Sequence, residues 1–450
     1  MKTIVKSILV TLCAVSLISC NKNNKDNGDD GAGIAVTTTQ VSGITAFSAV
    51  SGGSITGSGS LSERGLCWGT SSEPTVEDNV ILDIDPVIGE YSLQMSGLEP
   101  ETSYYVRAYV ETAEGEVIYG NAVPFTTADV ELEEESNSYL VMPASVIAIP
   151  VSRANKSVAG TQIGDSDELT AELLWMDNVG VVENVAVYGK GSEGAVIVYA
   201  GTTDGNALVA VKVNGETKWS WHVWVSQNAN SIGTVEMPSG AKLMDRNLGA
   251  TTKTISEIGA VGLQYQWGRK DPFTASADFG VPTEVVKYDL AGGNPEVKLI
   301  AGPQTFAYTV QNPDTYITTN YCDWCDQNIT TWWADETGNK TVYDPCPEGW
   351  RMPSIDAYAG LADEHFDLTT EGGHTLIYND QSNYFPYTGY REVTGVMDAT
   401  ANYGTFWVNS VIDGASGEAS AMSPSYGTGG TAAVNGAPRG RALSIRCLQE

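Results

Sequence analysis

The segment Asp344-Pro-Cys-Pro-Glu-Gly-Trp-Arg-Met-Pro-Ser354 constrains the fold more than any other stretch of the chain. Its prolines remove backbone donors and clash with a preceding helical turn, so no helix interior tolerates them. A central strand would lose a ladder hydrogen bond at each one. The segment is expected to be rigid and irregular, fixing a loop to a core.

The first residues bear on compartment. Lys2 and Lys6 precede an apolar run from Ile8 to Ile18, too short to span a bilayer. Leu17-Ile18-Ser19-Cys20 follows, and a small residue before a cysteine at this point resembles a bacterial lipobox. Residues 1–19 are therefore expected to be a lipoprotein signal peptide, with Cys20 lipidated. Residues 20–33 are rich in Asn, Lys, Asp and Gly and cannot bury enough apolar surface to order themselves, which suits a flexible tether. The expected location is the outer membrane, with the protein facing the cell exterior.

A formal net charge of −31 excludes general nucleic-acid binding, since no basic stripe exists to displace counterions from phosphate. An exported chain permits disulfides. His222, His365 and His374 are scattered, with no pair at metal-ligand spacing.

Organisation is read from alternation and turn residues. From 34 to 128, short β-rich runs alternate with Gly/Ser turns. In Tyr104-Tyr-Val-Arg-Ala-Tyr-Val110, Tyr104, Val106, Ala108 and Val110 are the inward set. Leu98-Glu-Pro-Glu-Thr-Ser-Tyr-Tyr-Val-Arg-Ala108 resembles the turn and strand of fibronectin type III domains, which implies an antiparallel sandwich. An acidic linker at 129–136 and a second β-sandwich at 137–227 are expected next. There Trp219, Trp221, Val223 and Val225 share one strand face, and Ser220, His222 and Trp224 the other. The first set suits a core; the second is either a half-exposed structural face or an aromatic platform for sugar.

Residues 228–450 carry an ordered series of motifs: Leu243-Met-Asp-Arg-Asn-Leu-Gly-Ala250, Gly262–Phe273, Asp344–Ser354, Tyr384-Phe-Pro-Tyr-Thr-Gly-Tyr-Arg391, Gly404–Ser410 and Ala442–Cys447. The series resembles the FISUMP family, the major-paralogous-domain modules of surface lipoproteins from anaerobic Gram-negative bacteria. The resemblance implies an α+β, C-type-lectin-like domain with much irregular structure and a surface or fimbria-associated setting; it does not imply an enzymatic activity. It also implies a Cys346–Cys447 disulfide. Closing a loop of roughly 100 residues stabilises by about 4–5 kcal/mol in the chain-entropy account. Asp356–Glu364 reads as a helix capped by Ser354. Asp245 and Arg246 are expected to pair with Arg391 or Asp271. The fold class is thus mainly β and multidomain: two β-sandwiches followed by this α+β domain.

The insertion between Phe273 and Asp344 is long and poor in periodic pattern, the character of functional or disordered loops. Within it, Cys322-Asp-Trp-Cys325 suits a local disulfide, with zinc or redox chemistry as alternatives that lack the remaining ligands and the context. Tyr321, Asp323, Trp324, Trp332, Trp333, Asp335 and Glu336 form the most ligand-like constellation. Aromatic faces stack on sugars, and carboxylates bind hydroxyls or calcium; the alternative is that the rings fill the space under the loop. No cofactor is expected beyond that calcium option. The function expected is non-catalytic binding of a glycan or protein outside the cell, as an adhesin-like lipoprotein. The alternatives are a fimbrial subunit and, last, an enzyme of the formylglycine-generating type.

Overall fold

The computed structural model describes residues 33–157, 162–278, 281–320, 322–327, 329–367, 370–398, 404–413, 418–423 and 433–450. Cys20, with the signal and tether, and Tyr321 lie outside the described residues. The chain is mainly β and divides into two units, one ending at Asp129 and one running from Val130 to Glu450.

Eight strands build the first unit: β1 (Ala35–Thr38), β2 (Ser48–Thr56), β3 (Leu61–Gly69), β4 (Asn79–Leu82), β5 (Glu90–Ser96), β6 (Ser103–Thr112), β7 (Val117–Tyr119) and β8 (Val123–Thr126). One sheet runs β1-β2-β5. The other runs β4-β3-β6-β7, with β8 also paired to β6. Tyr104, Val106, Ala108 and Val110 enter the core between them, as the alternation requires. Tyr104 shares that core with Leu98, and its hydroxyl accepts the Glu99 N–H at 3.1 Å. β2 runs through Ser51-Gly-Gly53. A Cβ at Gly52 would lie 2.0 Å from the Tyr91 carbonyl oxygen, so glycine is what lets β5 approach. Cys67 is a buried free thiol, which burial pushes up to about 11.

The second unit begins with seven strands: β9 (Ser138–Val141), β10 (Val146–Pro150), β11 (Leu169–Met176), β12 (Val182–Tyr188), β13 (Ala195–Ala200), β14 (Gly205–Val213) and β15 (Glu216–Val225). They form a sandwich of β11-β14-β15-β9 over β10-β13-β12, with β9 parallel to β15. Both faces of β15 are buried, not one. The face bearing Ser220, His222 and Trp224 is covered by the rest of the unit, so no sugar platform exists there. His222 sits between the Ser138 hydroxyl, 3.0 Å from Nδ1, and Asn206 Oδ1, 2.9 Å from Nε2. Burial keeps its imidazole neutral by pushing it down to about 3.

The expected boundary at 227/228 falls inside a continuous core. The cluster that holds Trp219, Trp221 and Trp224 also holds Trp267, Trp324, Trp333 and Trp407. Residues 137–227 and 228–450 are therefore parts of one unit. The acidic linker is drawn in too: Ser136 is buried, and Glu135 accepts from the Ser152 hydroxyl at 2.7 Å and from Lys156 at 2.6 Å.

Beyond β15, short strands are tied together by side chains. β16 (Thr234–Glu236) and β17 (Lys242–Met244) join Leu448–Gln449 and Trp350–Arg351 in a four-stranded sheet. Cys346 and Cys447 are disulfide-bonded, with their Cα atoms 6.0 Å apart, just ahead of the paired strands Trp350–Arg351 and Leu448–Gln449. Asp344 is buried within the proline-rich segment and accepts the N–H groups of Cys346 and Met352, each at 2.8 Å. Lys340 donates to the carbonyls of Cys346, Pro347 and Trp350 at 2.7–2.9 Å. One acid and one base thus satisfy backbone groups that no strand or helix can satisfy.

Two local expectations fail. The helix over Asp356–Glu364 is two short 3-10 turns, Ile355–Tyr358 and Asp363–His365, separated by Gly360 at φ +76°. The α-helix among the described residues is instead α1 (Phe306–Gln311), capped by Thr305, which accepts the Tyr308 N–H. Asp245 pairs with its neighbour Arg246 and with Lys253, while Asp271 pairs with Lys270 and Arg391 with Glu284. Chain neighbours pair Asp245 with Arg246 and Asp271 with Lys270, while Lys253 and the distant Glu284 supply the remaining partners.

Candidate functional site

The structure places the ligand-like residues of the insertion mostly inside. Trp324, Trp332 and Trp333 are buried in the main core. Trp324 Nε1 donates to the Trp267 carbonyl at 2.8 Å, and Trp333 Nε1 to that of Arg269 at 3.0 Å. The Trp332 ring stacks on Phe306 of α1, with centroids 3.6 Å apart. These rings therefore cannot stack on a sugar; they fill space that regular secondary structure leaves open.

The charged members serve the loop itself. Asp323 forms an ion pair with buried Arg439 and accepts the Cys325 N–H at 3.1 Å. Asp335 accepts from the Thr337 hydroxyl at 2.6 Å, the Asn339 N–H at 2.9 Å and the Thr337 N–H at 2.8 Å, and these bonds, the hydroxyl's foremost, hold its carboxyl down to about 2. Glu336 is exposed. Cys322 and Cys325 are free thiols, not a disulfide. The Cys325 sulfur turns inward, accepting the Gln327 N–H at 3.4 Å, and burial pushes the thiol up to about 12. Among the described residues, no group of three or more His, Cys, Asp or Glu side chains is placed to hold a metal ion, calcium included.

A different part of the same insertion forms a site. The hairpin of Ser276–Asp278 and Val281–Glu284 leads into an irregular stretch that ends at the strand Lys298–Ala301. This stretch folds over the strand Tyr390–Arg391, which is held by pairing with Met397–Asp398 and with Ala442. Between insertion and strand lies a cavity of about 370 Å³. Lys287 and Arg391 are its cations, Glu284 is an acid at its edge, and Val286, Val297 and Leu299 give it an apolar wall.

Lys287 is the unusual member. Its side chain as a whole is 6% exposed and lines the cavity, and its ammonium, which keeps contact with the cavity solvent, has no hydrogen-bond or ion-pair partner among the described residues. Other buried basic side chains are compensated. Arg64 pairs with Asp83, Arg246 with Asp245, Lys270 with Asp271 and Arg439 with Asp323. Arg153, Arg269 and Arg446 donate to amide or backbone oxygens. Burial pushes the Lys287 ammonium down to about 8, with the Glu284 carboxylate opposing that shift. Arg391 is 1% exposed and gives a two-pronged pair to Glu284, at 2.5 and 2.8 Å. A further Arg391 N–H donates to the Gly395 carbonyl at 3.0 Å.

Sequence reasoning finds the insertion and the Tyr-Arg391 motif but not their meeting point. Lys287 stands in Val285-Val-Lys-Tyr288, where nothing local separates it from a solvated lysine. A long insertion returning to a motif arginine was the available signal.

No family model matches this chain, and no curated protein matches it. Its structural neighbours include fibronectin type III-like domains. The sensor domain of the anti-sigma factor RsgI4 from Pseudobacteroides cellulosolvens is 20% identical, with 22% of this chain and 96% of that one covered at a TM-score of 0.17. The sixth fibronectin type III domain of human fibronectin type III domain containing protein 3 is 21% identical, covering 24% and 98% at 0.19. The fibronectin(III)-like modules of Clostridium thermocellum CbhA are 12% identical, covering 42% and 94% at 0.15. At these scores the likenesses decide nothing about function.

Proposed function

We propose that this chain is an exported, lipid-anchored surface protein that binds an extracellular ligand without transforming it, through the cavity at Lys287 and Arg391. The unpartnered Lys287 ammonium carries this reading. A largely buried side chain whose charge meets only the solvent of a cavity lowers folding stability, and such groups concentrate at functional sites. The lipobox-like Leu17–Cys20 and the acidic composition support an outer-membrane protein facing outward. The motif series between Leu243 and Cys447 supports a place among FISUMP-type, C-type-lectin-like modules, in an adhesin-like role.

The test is a glycan and matrix-protein array probed with the full chain and with Leu299→Trp. Leu299 is 58% exposed on the cavity wall, so a larger ring there fills the cavity without entering the core. Binding that disappears in this variant supports the reading; binding that survives intact places the site elsewhere.

One observation favours the alternative of a fimbrial subunit. Val80 and Leu82 on edge strand β4, and Ile84, Val87 and Ile88 beyond it, are exposed apolar side chains. Such an edge can pair with another strand. A fimbrial subunit shows strand exchange and polymers in size-exclusion chromatography; a free-standing binder stays discrete.

A further inference from the structure

We infer that the cavity takes a carboxylated sugar, its carboxylate seated between Lys287 and Arg391 and its hydroxyls facing Asn294 and Glu296. This rests on the binding reading above and names the ligand's chemical class.

Charge decides the first part. The chain's net charge of −31 repels anions at a distance, but that field is screened within about 8 Å at physiological salt. Inside the cavity the local groups prevail. A neutral ligand leaves the Lys287 ammonium as uncompensated as it is in the free protein. An anion gives it a charge-assisted hydrogen bond in a poorly solvated place, where such bonds are strongest.

Arg391 shows which anion fits. Its guanidinium fork already holds one carboxylate, that of Glu284, in a two-pronged pair. The two partners differ in freedom. Arg391 is buried and pinned to the Gly395 carbonyl, while Glu284 is half exposed at the end of the exposed strand Val281–Glu284. Glu284 is thus a displaceable occupant of the fork. Its swing outward opens the arginine to an incoming carboxylate of the same geometry. Phosphate suits the cavity less. With Glu284 swung outward, Lys287, Arg391 and Glu296 leave one net positive charge at the cavity, which a carboxylate balances and a phosphate dianion exceeds.

The lining decides the rest. Asn294 and Glu296 line the cavity and are exposed, offering an amide and a carboxylate to hydroxyl groups. Val286, Val297 and Leu299 offer an apolar surface to the C–H face of a ring. A volume of about 370 Å³ suits one sugar residue rather than a longer chain. A peptide C-terminus is commonly received by a backbone nest or a strand edge. The segment from Val285 to Val297 forms no strand, and Pro295 lacks an N–H to offer.

The experiment is titration calorimetry of the full chain in detergent with glucuronic acid, N-acetylneuraminic acid, uncharged N-acetylglucosamine and N-acetyl-leucine. The inference expects at least one acidic sugar to bind, tenfold or more weakly in Lys287→Met, and more tightly in Glu284→Gln, where the competing carboxylate is gone. It expects N-acetylglucosamine to bind at least tenfold more weakly. Neutral-sugar binding that is lost in Leu299→Trp but unchanged in Lys287→Met overturns the acidic-ligand inference and leaves the binding reading standing. Preference for N-acetyl-leucine overturns the sugar assignment. Acid binding that survives both Leu299→Trp and Lys287→Met overturns the cavity itself. Absence of binding by any of the four probes also overturns the inference.

Discussion

Arg391 and Glu284 form an ion pair in which one partner is buried and the other is 50% exposed. The arginine belongs to a motif strand of the scaffold, and the glutamate to the insertion laid across it. Removing the glutamate's charge leaves a buried guanidinium with fewer acceptors. Because Glu284 is half in solvent, the loss is expected to be modest, about 1–2 kcal/mol. Thermal melts of Glu284→Gln should show a Tm a few degrees lower, restored by an acidic sugar that refills the fork. A variant that melts as the wild type does, with or without glucuronate, contradicts this role.

Trp332 and Trp333 are core residues, so each change to alanine should destabilise by about 3–5 kcal/mol. Chemical denaturation of the single variants measures this directly. A variant with unchanged stability and lost ligand binding would restore the tryptophans as a binding face.

What the sequence made legible follows from how local each signal is. Alternation over Tyr104–Val110 fixes an inward face because a strand has period two and a sandwich needs one apolar side. The proline-rich segment announces irregular backbone, and the disulfide implied by the family resemblance is present. The insertion's tryptophans were ambiguous because a ring under a loop and a ring on a surface have the same local sequence. Their burial depends on α1, earlier in the same insertion, and on β15, far away in the chain. The merging of 137–227 with 228–450 was illegible for the same reason. The second face of β15 carries Ser220 and His222, which read as solvent-facing until Asp271 and Lys270 arrive to bond Ser220. Lys287 was missed because its isolation is a property of the surroundings, not of the residue.

Thiol chemistry should follow burial. Cys67 and Cys325 are buried with raised pKa values, and Cys322 is partly exposed. Alkylation of the native, non-reduced protein should label Cys322 first, with Cys67 and Cys325 reacting after denaturation. Peptide mapping should recover Cys346 linked to Cys447. Cys346→Ser should destabilise by several kcal/mol, since the bridge closes a separation of 101 residues. A recovered Cys322–Cys325 linkage contradicts the two thiols drawn here.

Ligand binding should depend on pH through Lys287. Its ammonium sits at about 8 in the free protein, with Glu284, Arg391, Asp314 and Lys298 as the charged groups acting on it. Only the protonated form pairs with an anion. Affinity for an acidic sugar should be flat near pH 6–7 and fall about tenfold per unit above 8. The contribution of Lys287 to folding stability runs the other way. A lysine depressed from 10.5 to about 8 disfavours the folded state at neutral pH, a penalty relieved as pH rises through 8 toward 10.5. Affinity that stays constant from pH 7 to pH 9.5 contradicts the role of the ammonium.

The most direct test of the binding site is the melting temperature and ligand affinity of Lys287→Met, measured together. A methionine keeps most of the side chain's length and removes a charge, on a largely buried side chain, that has no partner among the described residues. If that charge is kept for a ligand, the variant should melt higher than the wild type and lose binding at least tenfold. A variant that melts lower and binds as before would show that Lys287 belongs to the scaffold, and would contradict the account.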